Sequence, residues 1–72
     1  MFNLVMTDSN CSKWLVSAPD ELHEELVSIE KDDKSCINWE NFKPENSWYS
    51  FSGTTAYNII FRGGNWIELK AY

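Results

Sequence analysis

Helical periodicity occurs once in this chain, and it fixes the fold class. Leu22, Leu26 and Ile29 fall within an arc of about 60° on a helical wheel, with His23 and Val27 beside them. Asp20, Glu21, Glu24, Glu25, Ser28 and Asp32 spread over the opposite side. Ser17 is placed to cap. Pro19 falls in the first turn, where a missing N–H is harmless, and Asp20 stands three residues after Ser17, as in a capping box. The pattern predicts a helix from about Ala18 to Lys31 or a little beyond, with early acids and late lysines suited to its dipole.

Most of the rest alternates with period two. Phe2 to Thr7 is an apolar run bounded by Asp8-Ser9-Asn10, and Lys13-Trp14-Leu15-Val16 returns antiparallel to it. After the helix, Cys36 to Glu40 alternates with Ile37 and Trp39 on one face, and Ser47 to Phe51 resumes beyond Pro44. Tyr57 to Arg62 and Trp66 to Tyr72 form a hairpin about Gly63-Gly64-Asn65. A two-residue Gly63-Gly64 loop would set Tyr57, Ile59 and Phe61 beside Glu68 and Lys70. A three-residue loop with Asn65 left-handed at a bulge groups them with Ile67, Leu69 and Ala71, one coherent apolar face, and is preferred. The expected fold is α+β: one helix packed on a four- or five-stranded antiparallel sheet, order ββαβββ, in a single domain over 1–72.

The charge is as uneven as the periodicity. Asp20 to Lys34 holds seven acids against two lysines, which is the whole net charge of −5. Such a face attracts basic surfaces and repels nucleic acid and anionic lipid. Four Trp, three Tyr and four Phe close a core without metal or disulfide, and they exceed what one small core hides. No apolar run reaches the ~20 residues of a membrane span, and the start has no basic lead-in, so the chain reads as cytoplasmic. Cys11 and Cys36 read as small buried thiols, with no Cys-x-x-Cys spacing for zinc.

Catalytic arrangements are missing. His23, the single histidine, borders the core stripe as a partly buried side chain and has no nucleophile marked for it. The clustered carboxylates lie on a convex helix face, and Gly63-Gly64 lacks the strand–loop–helix context of a phosphate loop. No enzymatic activity, cofactor or metal is expected. Direct nucleic-acid binding is disfavoured, because Ser35 to Tyr72 nets to zero and gives no basic track.

Two function classes follow. In the first, the chain is a nucleic-acid mimic. Asp20, Glu21, Glu24, Glu25 and Asp32, with a neighbouring patch of Trp66, Arg62 and Tyr72, occupy a basic surface of a nucleic-acid-handling protein. By analogy of size and charge alone this resembles phage- and mobile-element-type inhibitors of defence effectors, anti-CRISPR proteins among them, and no motif ties the chain to any one family. Five net charges over about 22 Å of helix imitate one phosphate track and not a duplex. Arg62 stands across from Trp66, where the two either stack or are ordinary solvated positions. In the second class the chain is an interaction module: an adaptor, an antitoxin or immunity partner, or a homodimer formed through the last strand. There Trp39, Trp48, Trp66 and Tyr72 are the anchors.

Overall fold

The first two apolar runs pair around a turn that one carboxylate organises. In the computed structural model, residues 1–32, 37–43, 47–51 and 55–71 are described, Thr55 by its backbone alone. Strands β1 (Phe2–Thr7) and β2 (Lys13–Ala18) form an antiparallel hairpin with Leu4 opposite Val16 and Met6 opposite Trp14. In its turn, Asp8 Oδ1 accepts from the N–H of Asn10 at 2.9 Å and of Ser12 at 2.8 Å, and Oδ2 accepts from Trp14 Nε1 at 2.8 Å. These side-chain bonds add to two main-chain bonds of the turn, Asp8 N–H to the Ser12 carbonyl at 2.8 Å and Cys11 N–H to the Asp8 carbonyl at 3.0 Å. Cys11 completes the turn at φ 64° and is exposed, in contrast to the buried thiol expected, while Cys36 lies outside the described residues.

Tertiary pairing overrides the cap. Ser17 and Ala18 belong to β2, a 3-10 turn follows at Asp20–Leu22, and the α-helix α1 is His23–Lys31, nine residues. The predicted start at Ala18 is therefore five residues early. Two causes are visible. A residue before proline is pushed to extended backbone, and Val16 and Ala18 are fully buried in the sheet. Ser17 cannot cap, because its hydroxyl donates to Asn3 Oδ1 at 2.8 Å and accepts from Trp66 Nε1 at 3.1 Å. The helix ends at Lys31, within the range that the sequence predicts; Leu26 and part of Ile29 from α1, with Leu22 from the preceding 3-10 turn, lie on the sheet.

The strand expected over Cys36 to Glu40 is absent from its described part. Trp39–Phe42 is a 3-10 turn, with Asn38 Oδ1 accepting from the Glu40 N–H at 3.2 Å. An Asx-type bond of this kind competes with a strand ladder. It drives Trp39 into the core at 1 % exposure, so Trp39 is no surface anchor. Strands β3 (Trp48–Phe51), β4 (Thr55–Gly63) and β5 (Trp66–Ala71) follow as a meander. Tyr57 pairs with Ala71, Ile59 with Leu69 and Phe61 with Ile67, which is the preferred register. The left-handed residues are Gly63 (φ 132°) and Gly64 (φ 54°), not Asn65, and the irregularity falls between Phe61 and Gly63. Glycine takes these angles without a Cβ penalty, so the bulge moves onto β4.

The sheet order is β1-β2-β5-β4-β3, with β2 and β5 parallel. The sheet is thus mixed, not antiparallel. Crossing over through α1 returns β3 in the sense of β2, and two reversals then bring β5 in parallel beside β2. Met6, Trp14, Val16, Leu26, Trp39, Phe51, Tyr57, Ile59, Ile67 and Leu69 all join the core on the helix side. No described element covers the other face.

Candidate functional site

Alternation along each strand decides what the uncovered face displays. Val5 stands opposite Leu15 on β2, and Leu15 stands opposite Trp66 on β5. The three form an in-register apolar row across neighbouring strands, at 54 %, 37 % and 44 % exposure. Trp66 does not stand free. Its Nε1 donates to Ser17 Oγ, and that hydroxyl donates to Asn3 Oδ1. Ser17 lies two residues along β2 from Leu15, so the bond draws the indole along the sheet. A tethered ring offers its area to a partner with little entropy left to lose. Asn65 fastens the hairpin tip beside it: its Nδ2 donates to the Lys13 carbonyl at 3.0 Å and its carbonyl accepts from the Leu15 N–H at 2.8 Å.

Cations collect on this face. Lys13, Arg62 and Lys70 project from it, and among the described acids only Glu68 does, giving +2 on a chain of −5. Arg62 Nε donates to Glu68 Oε1 at 2.9 Å, and its Nη2 reaches the same oxygen. Of the two alternatives for Arg62, a stack on Trp66 or an ordinary solvated position, neither describes its pairing with Glu68. Trp48, 56 % exposed, lies on the same face at the β3 edge.

The acidic stretch sits on the other side of the molecule and is partly engaged by the fold. Asp20 holds the Met1 amine at 2.9 Å. Glu21 hydrogen-bonds the buried Tyr57 hydroxyl, and burial first, then that bond and the Glu21 charge, push the phenol above its ordinary value. Glu30 Oε2 accepts from the Thr7 N–H at 3.1 Å, on the outer edge of β1. The pairing of Glu30 with Lys34 that helical spacing suggests lies outside the described residues. Glu25 is half-buried, and Glu24 and Asp32 are exposed. Among the described residues, neither Glu24 nor Glu25 has an ion-pair partner.

The expected site is thus divided. Asp20, Glu21, Glu24, Glu25 and Asp32 belong to the helix layer, whereas Trp66 and Arg62 lie across the sheet from it. Tyr72 lies outside the described residues. Strand β5 is interior to the sheet, so the last strand has no free edge for self-association. Val5, Lys13, Leu15 and Ser17 did not figure among the candidates. A signal existed: one helix can cover one face of a sheet, so the odd-numbered members of Phe2–Met6 and Trp14–Val16 had to face outward.

One further concavity, of about 330 Å³, is lined by Met6, Asp8, Cys11, Ile29, Glu30 and Trp39 among others. Its Asp8 and Glu30 carboxylates are already hydrogen-bonded within the fold. Among the described residues no three of His, Cys, Asp and Glu gather to hold a metal ion, and no helix is long and apolar enough to cross a membrane. Compared with known proteins, the chain matches no family model, no curated protein and no solved structure.

Proposed function

We propose that this chain is a non-enzymatic protein-binding module, an inhibitor or adaptor, whose contact surface is the open sheet face around Trp66. The observation that carries this reading is the exposed row Val5–Leu15–Trp66, its indole tethered in place, on a face that no described element covers. Open faces of two-layer domains ordinarily alternate to polar side chains, and a contiguous apolar strip there marks a contact surface. Trp66 is the anchor and Leu15 and Val5 extend it. The single histidine, His23, is exposed where a partly buried side chain was expected, and it packs edge-on against Phe2, with ring centroids 4.9 Å apart.

A second reading has its own observation. Glu24 is exposed, and it and Glu25 lack an ion-pair partner among the described residues. On that reading the helix occupies a basic groove of a nucleic-acid-handling target in a host cytoplasm, as a phage-type inhibitor would. Affinity capture from lysate with three proteins separates the two. On the open-face reading, Leu15→Asp and Trp66→Ala each lose the partner, since removing an interface anchor costs about 2–4 kcal/mol. Glu24→Gln/Glu25→Gln then keeps it, with a slower approach at low salt. The reverse pattern selects the helix.

A further inference from the structure

We infer that the occupant of the open face is an acidic, apolar segment of another protein, with aliphatic or aromatic side chains over Val5, Leu15 and Trp66 and carboxylates toward Lys13 and Lys70. This rests on the open-face reading above and adds the chemistry of the partner. The charge distribution carries it. An acidic chain has cleared its described carboxylates from one face except Glu68, and Arg62 already answers Glu68. Among the described residues Lys13 and Lys70 have no ion-pair partner and are exposed. They bracket the apolar row. Lys13 lies two residues from Leu15 on β2, and Lys70 four residues from Trp66 on β5, or about 7 and 13 Å at strand rise. Fields of opposite sign select the approaching surface and set its rate, so a basic segment meets repulsion here and an acidic one is steered in.

Single-stranded nucleic acid would also meet the cations, and the geometry disfavours it. Stacking platforms place aromatics under successive bases beside a continuous basic groove. Here Trp48 and Trp66 are two strands apart and in different register rows, since Trp48 stands level with Asn58 and Lys70. Between them the face offers Ile60, Asn58 and the Arg62–Glu68 pair. Val5 and Leu15 give aliphatic area that a phosphate backbone does not use.

An NMR titration of the full chain tests this with three probes: a 12-residue peptide alternating Leu or Phe with Glu, its twin with Lys for every Glu, and an oligothymidine. The expected result is that the acidic peptide shifts the Trp66 indole N–H and the Leu15 amide and binds at least tenfold tighter than the lysine twin. Raising salt from about 50 to 500 mM should weaken it, because the Debye length falls below the charge separations. Lys13→Glu/Lys70→Glu should reverse the preference. Equal or tighter binding of the lysine twin at Trp66 overturns the acidic assignment while leaving the open-face reading intact. So would oligothymidine at Trp66, or concentration-dependent shifts at Trp66 without any probe, which give the face to nucleic acid or to a second copy. No shift at Trp66 with any probe also overturns the inference, and capture with Leu15→Asp then judges the open-face reading alone.

Discussion

At the scale of single residues, Asp8 and Cys11 pull the first turn in opposite directions. Asp8 is buried and has no ion-pair partner among the described residues. Burial pushes its carboxyl up, but the Trp14 indole and the Ser12 and Asn10 N–H groups outweigh that and hold it below the ordinary carboxylate range. A group depressed in the folded state stabilises fully above its unfolded value of about 3.9 and loses that contribution as pH falls through the folded value. Denaturant unfolding should therefore show a loss of stability between about pH 4 and more acid solution. Asp8→Asn should cost about 2–3 kcal/mol at neutral pH, because its amide opposes a donor to the Trp14 N–H, and should flatten that acid limb. Cys11 works the other way. A left-handed non-glycine residue costs about 1–2 kcal/mol, so Cys11→Gly should gain about 0.5–1 kcal/mol after the added chain entropy of glycine. Thermal unfolding would read this as a rise of about 2–8 °C. At high pH the sign is again fixed by direction: Tyr57, raised by burial and by Glu21, contributes below about pH 10 and ceases to as pH climbs through its folded value.

At the scale of elements, local signals and pairing compete, and the outcome explains what could be read in advance. The β4–β5 register was legible because Tyr57, Ile59 and Phe61 have one partner set, Ile67, Leu69 and Ala71, that keeps apolar side chains together. The apolar stripe of the helical segment was legible from Leu22, Leu26 and Ile29, although Leu22 belongs to the 3-10 turn that precedes α1. Its start was not, because Ser17 and Ala18 satisfy two patterns equally well: a helix cap by local sequence, and a strand end by contacts with Asn3 and Trp66 that are distant in the chain. Trp39 misled for a similar reason, since one Asn38 side-chain bond turned an alternating run into a 3-10 turn. Two predictions belong here. Gly64→Ala should cost about 1–2 kcal/mol through the left-handed angle alone, since a Cβ there meets nothing within 4 Å. Ser17→Ala should cost about 1 kcal/mol by hydrogen-bond loss and, more tellingly, should broaden the Trp66 indole resonance as the ring loses its tether.

At the scale of the whole molecule, the sheet sorts charge and apolar surface onto two sides. The carboxylates of 20–32 share the helix layer, where Asp20, Glu21 and Glu30 bond to Met1, Tyr57 and Thr7. The cations Lys13, Arg62 and Lys70 share the bare face with Val5, Leu15 and Trp66. Sequence alone assigned both groups to one surface, because Trp66 and the helix acids carry no mark of which side of a sheet they occupy. That mark comes only from register, and β2–β5 pairing is parallel and long-range. The most direct test of the resulting account is hydroxyl-radical footprinting of the chain with and without the partner recovered by capture, with oxidation at Trp66 read against Trp48. The account predicts that bound partner protects Trp66 and Leu15 severalfold while Glu24 and its helix neighbours stay as reactive as in the free chain. Protection confined to 20–32, with Trp66 oxidised at its free rate, would contradict it.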